Sequence, residues 1–299
     1  MKTPSKASPW TILDLLRWIT ADFRDRRIES PRAGAEILLA HALGLRRIDL
    51  YIRYDQPLTP DERDRLRALI RRRRRREPVA YIVGKRDFWT LTLSVNPDVL
   101  IPRPDTESLV EAALDEMPTD GVTRRVLDLG TGSGAVILAL AAERPGNRFF
   151  ASDASPAALR VASDNARRLG PADAVAFFAG DWLEPVAPPP DGPGFHLIVS
   201  NPPYLTTSDI DGLAAEIRDH EPLAALDGGP DGLAAIGPII RMAPDHLLPG
   251  GFLMLEIGAD QADRVRRCFE RDGRYEAVTI RTDLAGHHRV AVARRRDPG

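Results

Sequence analysis

The stretch Val126-Leu127-Asp128-Leu129-Gly130-Thr131-Gly132-Ser133-Gly134 decides the fold of this chain. Four residues suited to a buried strand run into glycines at alternate positions, and an apolar helical stretch continues to about Glu143. Strand, glycine-rich turn and helix in that order open a βαβ unit, with bare backbone at the helix N-terminus where a ligand can approach closely. The spacing G-x-G-x-G lacks the full G-x-G-x-x-G fingerprint of dinucleotide-binding turns. Downstream the alternation repeats. Arg148 to Ser152 reads as a strand ending at Asp153, followed by a helix over 155–169. Ala174 to Phe178 reads as a strand leading into Gly180-Asp181-Trp182, and a proline-rich loop, Pro185 to Pro193, precedes a strand over Leu197-Ile198-Val199-Ser200. Phe252 to Ile257 is a further strand, Gln261 to Arg271 a helix, and Ala277–Arg281 with Val290–Ala293 a closing pair. Strands alternating with helices imply an α/β fold, a mainly parallel sheet with helices on both faces.

Such sheets bind ligands at the C-terminal ends of their strands. At one of these ends stands Asn201-Pro202-Pro203-Tyr204. Two prolines lack N–H groups and fix φ, so the strand stops there in a stiff corner. The Asn201 side-chain oxygen and the Pro202 carbonyl are two acceptors for the two N–H bonds of a planar NH2 group, on an amide or a base. Holding both leaves the nitrogen lone pair aimed at an electrophile, and Tyr204 can pack on the flat face of that group. The plainer reading is a proline-rich loop in which Asn201 closes a turn. Asp153 lies 19 positions after Gly134, where a carboxylate can accept both hydroxyls of a ribose. With Ser155-Pro156 following, it can equally cap a helix. Asp181 can accept from an exocyclic amine, with the backbone around Trp182 on the ring nitrogens; buried packing of Trp182 is the alternative.

Upstream, residues 10–83 read as helices, with Ile12, Leu15, Leu16 and Ile19 at helical spacing. Ser30-Pro31 looks like a cap and first turn, with the helix ending at Gly44; Thr59-Pro60 starts another, which runs into Arg71 to Arg76. The arginine run is either a phosphate-binding patch or the exposed end of a helix, where cations favour the macrodipole. No aromatics interleave it, so direct reading of nucleic acid is not expected. Residues 84–101 carry β-formers from Phe88 to Val95 and read as a linking hairpin. Asp105 or Thr106 can cap a helix running to about Met117.

Length and composition bound the class. The 299 residues suggest two domains, and 43% hydrophobic with 28% charged residues is ordinary for a globular protein. The single cysteine, Cys268, excludes an internal disulfide framework and a cysteine-based zinc site. Six histidines are scattered; the one cluster, His287-His288, reads as a strand edge, and no metal is expected. Met1 to Ser8 is polar with no long apolar run after it, so neither a membrane span nor a signal peptide is expected and the cytoplasm is the default. Residues 1–83 hold 19 basic and 11 acidic residues, a net +8, against −10 on the remainder. That asymmetry points to an anionic partner surface or simply to a solvated helix face.

The glycine turn, the acid after the second strand and the Asn-Pro-Pro-Tyr corner together resemble the seven-stranded methyltransferases that use S-adenosylmethionine. The corner itself is shared by enzymes acting on adenine N6 and on glutamine side chains. Across nearly the whole chain the closer resemblance is to the peptide chain release factor N5-glutamine methyltransferases of the HemK/PrmC type. It is carried by Ser30-Pro31-Arg32-Ala33, Glu77 to Gly84, Phe88-Trp89, Ile101-Pro102-Arg103-Pro104-Asp105-Thr106-Glu107, Val126 to Gly134, Asn201 to Tyr204, Glu221-Pro222, Ala225 to Gly229, Asp231-Gly232-Leu233 and Asp283 to Gly286. A sister group acting on a ribosomal protein resembles this up to Pro102-Arg103 and then diverges.

The resemblance implies a seven-stranded Rossmann-like methyltransferase sheet over 102–299, a small all-helical domain over 1–83 that docks the release factor, and a β-hairpin linker over 84–101. It implies S-adenosylmethionine as donor, held by Gly130, Thr131, Gly132, Ser133, Gly134, Asp153, Asp181, Trp182 and Asn201. Asn201, Pro202, Pro203 and Tyr204 would contact the substrate, with Asn201, Pro202 and Tyr204 catalytic and Leu100 or Ile101 an apolar wall. Arg103 and Glu107 read as a pocket rim or, preferably, a structural ion pair. The implied partner is a class I release factor, met by a monomer that methylates the glutamine of its Gly-Gly-Gln loop. The competing readings are glutamine methylation of a ribosomal protein, N6-adenine methylation of nucleic acid, and a module that binds the cofactor without turnover.

Overall fold

The computed structural model describes residues 10–170, 175–184 and 194–297; Met1 to Ser8, Ala174 and the loop Pro185 to Pro193 lie outside the described residues. Two compact units emerge. One comprises Met1–Gly84 together with Ala215–His220, the other Lys85–Ala214 together with Glu221–Gly299.

The first unit is helical: α1 (Ile12–Asp25), α2 (Pro31–Leu43), α3 (Asp49–Ile52), α4 (Pro60–Arg74) and α5 (Val79–Val83). Ile12, Leu15, Leu16 and Ile19 fall on one face of α1 and are buried with Leu38, Leu39, Leu66 and Ile70. Thr11 and Thr59 begin α1 and α4 with reciprocal capping boxes to Asp14 and Glu62. Ser30 precedes α2 in the left-handed region (φ 47°) and makes no side-chain cap, so Pro31 alone marks that start. The arginine run is engaged within its own unit. Arg72 pairs with Glu77, Arg74 with Asp22 at 2.7 Å, and Arg73 and Arg76 share Glu216 at 3.1 and 3.3 Å. Arg71 to Arg74 form the last turn of α4, as the helix-end reading expects, with Arg72, Arg73 and Arg74 drawn into ion pairs.

The second unit opens with an antiparallel hairpin, β1 (Lys85–Phe88) and β2 (Leu91–Ser94), turning at Trp89 (φ 54°). A 3-10 turn over Pro104–Thr106 leads into α6 (Glu107–Asp115), and neither Asp105 nor Thr106 caps it through its side chain. The sheet strands are β3 (Arg125–Leu129), β4 (Arg148–Asp153), β5 (Val175–Ala179), β6 (Phe195–Ser200), β7 (Leu247–Glu256), β8 (Tyr275–Thr282) and β9 (His288–Arg295). Helices α7 (Ala135–Glu143) and α8 (Pro156–Leu169) follow β3 and β4. Between β6 and β7 come the short α9 (Thr207–Ile210), α10 (Ala215–Arg218) and α11 (Ile236–Met242), and α12 (Ala262–Asp272) joins β7 to β8.

The order across the sheet is β5-β4-β3-β6-β7-β9-β8, parallel from β5 to β7 and antiparallel for the last two pairings. This is the seven-stranded Rossmann-like sheet. Alternate residues of each strand bury on opposite faces: Val126, Leu197, Val199 and Met254 pack with α6 and α7, while Leu127, Ile198, Leu253 and Leu255 pack with α11 and α12. The order reverses between β3 and β6, the place where such sheets open a crevice at their C-terminal edge. Among the described residues no helix is long and apolar enough to cross a membrane.

Candidate active site

A cavity of about 300 Å³ sits at that crevice. Its floor is the turn after β3. Gly130, Gly132 and Gly134 all hold positive φ (68°, 57° and 84°), which only glycine adopts without strain. A side-chain carbon at Gly132 would meet open space, so the turn presents bare backbone there. At Gly134 it would come within 3.0 Å of Leu138, so that glycine serves the close seating of α7. Thr131 N–H donates to the Ser152 carbonyl at 2.9 Å, and Ser200 Oγ donates to the Leu129 carbonyl at 2.7 Å, which tie β3 to its neighbours where the cavity begins. Asn165, fully buried on α8, bonds both the Ser94 backbone and the Ser133 carbonyl, so the hairpin and the glycine turn share one anchor.

Asp153 ends β4. Its Oδ2 accepts from Gly132 N–H at 2.9 Å and its Oδ1 from Ser155 N–H at 2.8 Å. The cap of α8 is Ser155, whose hydroxyl accepts from Ala158 N–H at 3.2 Å; Asp153 only steadies the Ser155 backbone, and it lines the cavity. Gly180, Asp181 and Trp182 line the same cavity from beyond β5, with the Trp182 ring packed over Gly130.

The Asn201 corner closes the cavity from β6, with Asn201 and Pro203 in the lining. It is braced from behind. Leu205 N–H donates to the Leu226 carbonyl at 3.1 Å and Gly228 N–H to the Leu205 carbonyl at 2.8 Å. Gln261 Nε2 donates to the carbonyls of Tyr204 (2.8 Å) and Gly232 (3.2 Å). Added side-chain carbons would sit 2.8 Å from the Pro203 carbonyl at Gly228 and 2.5 Å from the Tyr204 carbonyl at Gly232. The Asp-Gly-Gly and Asp-Gly-Leu stretches thus exist to let a second backbone press against the corner.

Of the sequence-predicted residues, Gly130, Thr131, Gly132, Ser133, Asp153, Asp181, Trp182, Asn201 and Pro203 meet around one cavity, as does Leu100. Gly134, Ile101, Pro202 and Tyr204 are not in its lining; the Tyr204 hydroxyl donates to Glu256 Oε1 at 3.2 Å. Arg103 lines the cavity and pairs at 2.6 Å with the buried Glu221, whose other oxygen accepts from Ile101 N–H. The expected pairing of Arg103 with Glu107 is not formed: Arg103 goes to Glu221, and Glu107 instead accepts from Trp89 N–H at 2.9 Å.

The residues missed from sequence are Asp128, Thr106, Glu221, Glu256 and Gln261. Asp128 is buried and receives the Thr131 hydroxyl at 2.7 Å. Burial pushes its carboxyl up to about 7, with nearby Asp153 acting in the same direction. An acid inside an apolar strand, as at Asp128 and Glu256, was the available signal.

Four aspartates in the lining (Asp98, Asp128, Asp153 and Asp181) face one arginine already paired. With bare backbone at Gly132 and apolar Val99, Leu100, Val136 and Pro222, the cavity suits a ligand bearing positive charge, hydroxyls and a flat apolar ring.

The family model of the PrmC N-terminal domain matches residues 14–84, and that of the methyltransferase small domain residues 105–218. The chain is 42% identical over 289 residues to the release factor glutamine methyltransferase of Geobacter sulfurreducens, covering 97% of this chain and 98% of that one. It is 45% identical over 267 residues to that of Coxiella burnetii, covering 89% and 93%. In fold it is similar to human methyltransferase 10 domain containing protein, with TM-score 0.52 at 14% identity over 69% of this chain and 88% of that one.

Proposed function

The chain belongs to the release factor glutamine methyltransferases, and from that membership we propose that it methylates the side-chain amide nitrogen (N5) of the glutamine in the Gly-Gly-Gln loop of class I release factors. The methyl donor of this family is S-adenosylmethionine. The carrying observation is that Asn201 and the glycine turn open onto one cavity.

In this reading Gly130, Thr131, Gly132, Ser133, Asp153, Asp181, Trp182 and Asn201 hold the donor, with Gly134 seating α7 beneath them, and the acidic, glycine-floored lining fits it. When bound, that group supplies an electrophilic methyl on a positively charged sulfur. The chain's own work is positioning. Asn201 Oδ1 and the Pro202 carbonyl accept the two amide N–H bonds and turn the nitrogen lone pair toward the cavity. Pro203 confines the amide plane, while Tyr204, outside the lining, braces the corner through Glu256. Orientation and fixed dipoles provide the rate, because the amide proton becomes acidic only after the new bond forms.

Residues 1–83 are the docking unit in this reading, 84–101 the linker and 102–299 the catalytic part. The protein acts as a monomer in the cytoplasm. The engagement of Arg72, Arg73, Arg74 and Arg76 in internal ion pairs favours a protein partner over a directly read nucleic acid.

The test is transfer of labelled methyl to a purified bacterial release factor and to its Gln-to-Ala loop variant. Label on the first alone is expected. Label on naked nucleic acid or a ribosomal protein instead would overturn the reading.

A further inference from the structure

We propose that Gln261 is a positioning residue for methyl transfer: its amide clamps the far end of the Asn201–Tyr204 corner and so sets where the Asn201 and Pro202 acceptors point. This rests on the glutamine reading of that corner. Pro202 and Pro203 have no N–H, so the corner has no donors of its own there with which to hold its shape. It is fixed by donors brought to its carbonyls from outside, and the Pro202 carbonyl must stay free for the substrate amide.

Gln261 brings such a donor from outside the cavity lining. It stands at the N-cap of α12, 3% exposed, yet its side chain makes no cap for that helix. The amide is spent elsewhere. Nε2 donates to the Tyr204 carbonyl at 2.8 Å and to the Gly232 carbonyl at 3.2 Å, and Oε1 accepts from Gly258 N–H at 2.9 Å. A half-turn of the amide would set its oxygen against two carbonyls and its NH2 against an N–H, so one orientation alone satisfies the three partners. Three segments therefore meet on one side chain: the corner after β6, the loop that carries Gly232, and the turn after β7.

The neighbouring backbone is cut to fit it. A side-chain carbon at Gly232 would lie 2.6 Å from Gln261 Nε2, and one at Gly258 would lie 3.2 Å from its Oε1. The near end of the corner is held separately, with Asn201 Nδ2 donating to Thr106 Oγ1 at 3.2 Å. Between the two ends, the fixed φ angles of Pro202 and Pro203 leave few rotations to absorb a displacement of Tyr204 before it reaches the Pro202 carbonyl. An apolar side chain would fill the same space without the cost of burying an amide. What the amide adds is direction.

The experiment compares Gln261→Glu and Gln261→Met with wild type in steady-state transfer to a release factor. Donor-binding sites and donor Kd are measured by calorimetry, so that kcat is expressed per donor-binding site. Glutamate keeps the acceptor for Gly258 N–H and removes both donated bonds; methionine keeps the length and removes all three. Both variants should lower kcat per site about 100-fold, with KM for the release factor and donor Kd within about threefold, the effect expected of misplaced acceptors. A residue serving stability alone would lower the number of sites and leave the turnover of each unchanged. Wild-type kcat per site in Gln261→Glu, a parallel fall in donor affinity, or failure of both variants to fold would each overturn the assignment. A wild-type enzyme that binds donor but leaves the release factor unmethylated would instead refute the reading beneath it, and the clamp with it.

Discussion

Replacing Glu256 by glutamine should change how stability responds to pH, in the direction opposite to ordinary acid denaturation. Burial pushes the Glu256 carboxyl from its usual 4.5 up to about 7, partly opposed by the Thr106 and Tyr204 hydroxyls and by Arg289. The folded protein therefore holds this proton more tightly than the unfolded chain does. Its stabilising effect is fully present below about pH 4.5 and is lost as pH rises through about 7. At about 1.36 kcal/mol per pH unit, the loss between about pH 5 and about pH 9 comes to about 2.5 kcal/mol. Glutamine mimics the neutral carboxyl and does not titrate. Asp128 moves in the same direction, but it is common to both proteins and cancels in the difference. Urea unfolding of wild type and Glu256→Gln across this range should show the variant gaining about 2.5 kcal/mol on wild type as pH rises. Parallel profiles would mean that the native carboxylate is ionised and compensated, which would refute the burial argument.

Asn201→Ala should lower transfer at least about 1,000-fold while weakening calorimetric donor affinity no more than about tenfold, since the side chain touches the donor but acts mainly on the transferred-to nitrogen; equal loss of both would place its main action on the donor. Asp153→Ala should weaken donor binding about 10- to 100-fold, the effect of removing a charged acceptor of hydrogen bonds; unchanged binding would remove the ribose assignment. Gly232→Ala puts a side chain at φ 72° and 2.5 Å from the Tyr204 carbonyl, so thermal unfolding should report a loss of about 2 kcal/mol or more. Wild-type stability there would refute the bracing of the corner.

The sheet was legible because its strands are short apolar runs, each closed by glycine, aspartate or proline. Among the described strands the one large departure is the start of β7, at Leu247 where Phe252 is expected; β6, β8 and β9 outrun expectation by two residues at an end. Residues 205–251 were silent. The helices there have four to seven residues, too few for a 3.6-residue period to register, and β7 begins across Pro249-Gly250-Gly251, which reads as a turn. In the site, glycines and prolines announced themselves because each carries a backbone meaning. Thr106, Glu221 and Glu256 did not, because their meaning lies in partners far along the chain: Glu221 reaches Ile101 across 120 positions. The ion pairs of the arginine run were hidden for the same reason, since Glu216, the partner of Arg73 and Arg76, lies about 140 positions away from the run.

The most direct test of the central claim is fragmentation mass spectrometry of a release factor after incubation with this protein and S-adenosylmethionine. The account predicts one added methyl group, on the side chain of the glutamine in the Gly-Gly-Gln loop, absent when Asn201→Ala replaces wild type. A methyl group on any other residue, or an unmodified loop with donor binding intact, would contradict it.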